Sequence, residues 1–197
     1  MTQPTRAYRT VVPVFAAGYF AMATASGMFA PALAALATAF SVSTGAAGQL
    51  GALAPLTWAV LAPFFGPWSD RLGRRTAAAG GLALMGAGSV VAAASPSIGW
   101  LVVSRVITGI GGAAFGPSVY ALVADLFPPV RRAPVLGAVM AGFSAAALLG
   151  LPVVAYVTGW LGWRWAFGAV GALLLAIALA LHAGIPQPRV RKPAVAS

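Results

Sequence analysis

The chain alternates long apolar stretches with short polar breaks. A helix that crosses a bilayer needs about 20 predominantly apolar residues. Six stretches meet that length, at approximately 11–39, 47–67, 77–95, 99–126, 135–159 and 165–185. The breaks carry turn or charge signals: SVSTG at 41–45, GPWSDRLGRR at 66–75, SPS at 95–97, FPPVRRAP at 127–134 and GWLGWR at 159–164. No stretch alternates apolar and polar positions, which argues against a membrane β-barrel. The expected fold class is an all-α membrane protein with six transmembrane helices. The first stretch is too long for the 7–15-residue apolar core of a cleaved signal peptide, so it is read as a span.

Composition agrees with the pattern. The 197 residues are 60% hydrophobic and 7% charged, whereas a soluble domain carries about 25% charged residues. The mean hydropathy is +0.92. A net charge of +10 in a soluble protein would point to nucleic acid. Here the cations punctuate apolar runs instead of forming a basic face with stacking aromatics, so no nucleic-acid partner is expected. The absence of cysteine removes disulfides, thiol nucleophiles and thiolate metal ligands. No metal or cofactor is expected, and the lone histidine, the serines and the two acids form no catalytic constellation, so no enzyme is expected either.

Cations set the expected orientation, because cytoplasmic segments retain Lys and Arg. Arg6 and Arg9, Arg71, Arg74 and Arg75, Arg131 and Arg132, and Arg189, Arg191 and Lys192 all fall on one side, ten of the twelve cations. Trp100, Trp160, Trp163 and Trp165 gather at the opposite ends, as an aromatic belt would. Both termini, including a tail over 186–197, are therefore expected in the cytoplasm, with the chain multi-pass in the cell (inner) membrane.

Charge placement then singles out motifs. Only two acids occur, Asp70 and Asp125, and Asp70 lies among Arg71, Arg74 and Arg75 at a membrane edge. Such a cluster is costly unless its charges compensate one another or meet a helix end. Gly66 is expected to permit close backbone contact, Gly73 to supply the positive φ of a tight reversal, and Asp70 to accept hydrogen bonds from a neighbouring helix N-terminus. Asp125 stands at a helix C-terminus, where an anion is disfavoured, so a basic partner is expected, with Arg131 and Arg132 nearby. Its role is either a structural salt bridge or a gating charge.

Within the fourth stretch Arg105, Gly109, Gly112 and Gly116 recur on one helical face. The glycines suit close helix packing. Arg105 lies about 9 Å deep, where it either snorkels to the outer surface or faces a wet cavity with Thr108. On the first stretch Tyr19, Met22, Ser26 and Phe29 share a face, suited either to helix packing or to cavity lining. The fifth stretch carries a small-residue ladder, Gly142, Ala146 and Gly150, ending in Pro152.

These motifs resemble a known family. GPWSDRLGRR is similar to the G-x-L-x-D-R-x-G-R-R signature between the second and third helices of major facilitator superfamily transporters, with Trp68 in place of the usual leucine. SRVITGIGG at 104–112 resembles the family's R-x-x-x-G-x-G stretch, with Thr108 where glutamine is frequent. Gly142 to Pro152 weakly resembles an efflux-associated glycine-proline stretch, and WRWAF is similar to drug and sugar exporters. The resemblance implies one half of a major facilitator fold over 1–197, with inverted three-helix repeats at 1–95 and 96–185. It implies efflux of small organic solutes by alternating access, as in an antiporter. It also implies that the 66–75 segment latches the two halves, and that the first and fourth helices line the pathway.

No acid lies in the middle of any span, so proton coupling would run through Asp70, Asp125 or Arg105. Six helices make one half of the usual twelve. The expected partner in the lipid bilayer is a second copy, since two parallel copies reproduce the relation between the family's halves. Asp70 of one copy would then face the region 133–135 of the other. The alternative is a truncated half or auxiliary subunit that needs a separately encoded second half or transports nothing itself.

Overall fold

The computed structural model describes residues 3–185, with side chains from residue 10 onward. Arg6, Arg9 and the 186–197 tail with Arg189, Arg191 and Lys192 lie outside the described side chains. Among the described residues, six helical spans are long and apolar enough to cross a bilayer. The first is α1 (Gln3–Gly27) continued by α2 (Phe29–Phe40). The second, third and fourth are α3 (Thr44–Leu72), α4 (Arg74–Ala93) and α5 (Ile98–Leu126). The fifth joins α6 (Pro129–Ala145) to α7 (Leu151–Leu161) through a π-helical turn, Ala146–Gly150. The sixth is α8 (Trp163–Gly184).

The chain folds this way because a bilayer leaves backbone groups no partner outside a helix. Interior prolines such as Pro13, Pro55, Pro63, Pro117 and Pro134 therefore remove single helical hydrogen bonds without ending the spans. Pro31 has no N–H to offer the Gly27 carbonyl, and the first span breaks for the single residue Met28. In the fifth span the ring of Pro152 would clash with the carbonyl four residues back, at Leu148, and the widened turn at Ala146–Gly150 makes room.

Two reversals need one residue each. Gly73 joins α3 to α4 and Gly162 joins α7 to α8, both at φ 90°, a region closed to most L residues. Each is followed two residues later by an arginine that closes the far end of another span. Arg75 Nη1 donates to Ile185 O at 3.0 Å, at the end of α8. Arg164 Nη2 donates to Ser95 O at 3.0 Å, at the end of α4, while its guanidinium covers the Trp163 ring. The third and sixth spans are thus tied at both ends. Between those ties they cross at Gly86 and Gly171, where an added Cβ on either would lie 3.0 Å from the other's carbonyl oxygen.

The third span also meets the fourth through glycine. Gly81 and Gly111 cross so closely that a Cβ on Gly111 would lie 2.5 Å from Gly81 O. The first span packs on the fifth and sixth. Burial is uneven: 50% and 56% of the apolar windows of the first and fourth spans are buried, but only 11% of the second and 22% of the fifth. Leu56, Val60, Phe64 and Trp68 on the second span, and Leu149, Val153, Tyr156 and Trp160 on the fifth, are at least half exposed.

Candidate functional site

The charged cluster around Asp70 is built on helix, not on the loop expected at 66–75. α3 runs through Gly66 to Leu72 and α4 starts at Arg74, so Gly73 alone makes the reversal. Gly66 is no close-contact site: a Cβ added there would meet nothing within 4 Å. Its carbonyl accepts a hydrogen bond from Ser69 Oγ at 2.9 Å.

Arg74 organises the charges. Its Nε donates to Asp70 Oδ1 at 3.0 Å, and its Nη1 donates to Asp125 Oδ1 at 2.5 Å and to Ala121 O at 3.3 Å. Asp70 therefore receives a guanidinium rather than a helix N-terminus, and its side chain stays 58% exposed. The expected partners of Asp125 are likewise corrected. Arg132 turns back to the Phe127 and Ala124 carbonyls at 3.1 and 2.7 Å, because the end of α5 leaves carbonyls without helical donors. Arg131 and Arg71 are exposed.

A cavity of about 440 Å³ lies among the first, second, fourth and fifth spans. Tyr19 and Met22 line it with Trp58, Tyr120, Met140 and Phe143, and Gly116 and Pro117 complete the wall. Tyr19 Oη approaches Gly116 O at 3.5 Å, and the rings of Tyr19 and Tyr120 meet edge to face at 6.4 Å. The wall is apolar and aromatic with few polar groups, which suits an amphipathic organic molecule.

The expected six-residue lining is not one surface. Ser26 and Phe29 line a second cleft of about 310 Å³, between the C-terminal half of the first span and the start of the second. From Tyr19 to Phe29 a helix rises about 15 Å, and the break at Met28 intervenes. Arg105 and Thr108 line neither space. Thr108 Oγ1 donates to Ser104 O at 2.7 Å and packs on Gly88. Arg105 does not snorkel: it is 1% exposed, with its Cζ 4.2 Å from the centroid of the Phe29 ring.

The packing glycines divide as well. Gly109 meets the second span backbone, with its added Cβ 2.7 Å from Ala54 O. Gly112 and Gly116 instead receive the Trp58 indole at ordinary contact distance. Gly142 abuts the carbonyl of Ala16 and Gly150 abuts Thr24 Oγ1 on the first span, with no room for a methyl at either. Trp58, Tyr120, Met140 and Phe143 escaped the sequence reading. Trp58 carried a usable signal, since a tryptophan mid-span is away from the interfacial belts.

A six-span bundle with a cavity among its first, second, fourth and fifth helices is the architecture of a multi-pass membrane transporter half. The family model described as Major Facilitator Superfamily matches residues 15–197, and the chain belongs to that superfamily. It is 29% identical over 150 residues to the uncharacterized MFS-type transporter YwfA of Bacillus subtilis (strain 168), covering 76% of this chain and 36% of that protein. It is 34% identical over 116 residues to Multidrug resistance protein 3 of the same organism, covering 57% of this chain and 23% of that protein. The fold matches a bacterial homolog of the human lysosomal transporter Spinster, in an inward-facing and occupied conformation, with TM-score 0.78 and 24% identity over 95% of this chain and 46% of that one. The chain thus spans less than half the length of these proteins.

Proposed function

We propose that this chain is one six-helix half of an alternating-access exporter of small organic solutes, working as a parallel homodimer in the cell (inner) membrane with both termini cytoplasmic. One observation carries the reading: the 440 Å³ cavity borders the two least buried spans, and its wall residues Tyr120 and Phe143 are 47% and 49% exposed. A second bundle set against those faces would close the cavity into a shared pathway. Export of drug-like molecules is supported by similarity to Multidrug resistance protein 3.

In this reading Tyr19, Met22 and the aromatic wall hold the solute. Asp70, Arg71, Arg74 and Arg75 with Asp125, Arg131 and Arg132 form the inner gate. The two three-helix units, 1–95 and 96–185, are inverted repeats, which the matching Gly73–Arg75 and Gly162–Arg164 reversals support. Proton coupling, if the cycle uses it, runs through Asp70, Asp125 or Arg105. The second reading is a half that pairs with a separately encoded six-helix unit, favoured by the greater length of the relatives.

Purified chain in liposomes, assayed for ethidium flux with and without a pH gradient, tests the proposal. Flux above that of protein-free vesicles is expected. Its absence under both conditions contradicts the exporter reading.

A further inference from the structure

We infer that the outer cleft beside Phe29 receives the tail of an anionic amphiphile whose charged group docks on Arg105, an inference that rests on the exporter reading and specifies one class of its substrates. The starting point is a charge without an answer. Arg105 is 1% exposed, and its Nε and Nη1 hydrogen-bond to nothing. A buried guanidinium demands a counter-charge and acceptors for its N–H groups. The Phe29 ring beneath it supplies a cation–π contact but no acceptor.

No side chain within these 197 residues supplies the missing anion. The sequence has two acids, and both bind Arg74 at the inner end. Twenty residues of α5 separate Arg105 from Asp125, about 30 Å of helix. A parallel second copy brings the same two acids to the same inner end. In a homodimer of this chain the anion therefore arrives with a ligand.

The cleft defines the rest of that ligand. Phe29 is at once the platform under the guanidinium and part of the cleft wall, with Ala30, Leu33, Gly48 and Gly51 around it and Ser26 the one polar side chain. Its volume of about 310 Å³ lies at the small end of ligand sites. Phe29 stands immediately after the break at Met28 and packs edge-on against Phe167 at 5.0 Å, so it is the one side chain that separates the guanidinium from the cleft and must move aside for a ligand to reach it. An apolar chain ending in a carboxylate, phosphate or sulfonate satisfies both surfaces.

Photolabelling of the full chain in phosphatidylcholine nanodiscs, with diazirine-bearing decanoate and the matching decanol and with labelled residues mapped by mass spectrometry, tests the inference. The acid is expected to label the cleft at least tenfold more than the alcohol. Arg105→Gln should reduce acid labelling to the alcohol level, and Gly48→Leu should block both probes. If phosphatidylglycerol in the disc suppresses labelling, the anion is a lipid headgroup; if only free decanoate does, it is a solute, and either result supports the anion site. Equal labelling by acid and alcohol, or an acid preference that survives in Arg105→Gln, overturns it. Should Arg105→Gln fail to fold, the wild-type ratio of acid to alcohol labelling decides. Labelling without ethidium flux sinks the exporter reading and leaves the anion site; flux without acid preference does the reverse.

Discussion

Arg74 and Asp125 join the start of the third span to the end of the fourth through a 2.5 Å contact. Each charge stands at the helix end whose dipole disfavours it. Arg74 opens α4, while Asp125 closes α5 and Asp70 closes α3. Separately these placements are unfavourable; together they compensate. The cluster is thus held by mutual pairing across three helices.

Asp125→Asn is predicted to lower stability by about 1–2 kcal/mol, because Arg74 then retains only the exposed Asp70 as a charged partner, with the Ala121 carbonyl beside it. Asp70→Asn should cost no more than about 0.5 kcal/mol, since that carboxylate is largely in water. Thermal unfolding in one detergent at low and high salt measures both. The larger effect should shrink least in salt, because its pair is less exposed.

Three glycines should respond in three ways to alanine. Gly66→Ala meets no tertiary neighbour, but its new methyl faces the ring of Pro67, which offsets the gain in helix propensity, so stability should change by less than about 0.5 kcal/mol. Gly73→Ala must hold a positive φ and should lower it by about 1–2 kcal/mol. Gly142→Ala collides with the Ala16 carbonyl and should cost about 1–3 kcal/mol. Chemical denaturation of the three variants orders them. A functional defect in stable Gly66→Ala would show that this glycine serves the assembled transporter.

The ties made by Arg75 and Arg164 should be separable. Arg164→Ala should speed amide hydrogen exchange at the end of the third span, near Ser95, and leave the end of the sixth unchanged. Arg75→Ala should do the opposite at Ile185. Each loss is expected at about 1 kcal/mol, reduced by solvent access.

Much of the fold was legible because a bilayer admits few solutions. Length and polarity located all six spans, and the charged breaks separated them. Helix ends were missed where a single glycine makes the turn, since nothing in RLGRR announces that Leu72 and Arg74 are both helical. The site was less legible. Tyr19 and Met22 lie on the cavity, but the wall from Trp58, Tyr120, Met140 and Phe143 depends on how each helix is rotated against its neighbours, which local spacing does not encode. The partner of Asp125 was misassigned for a similar reason. Arg131 and Arg132 are near in sequence, but the free carbonyls at the end of α5 claim Arg132, and Arg74 arrives from another span.

In the proposed homodimer two copies make one pathway. Vesicles carrying fluorescently labelled chain can be scored singly for ethidium transport and then counted by stepwise photobleaching. Transporting vesicles are expected to hold two copies, and single-copy vesicles to be silent. Transport by vesicles holding one copy, or silence at every copy number, would contradict it.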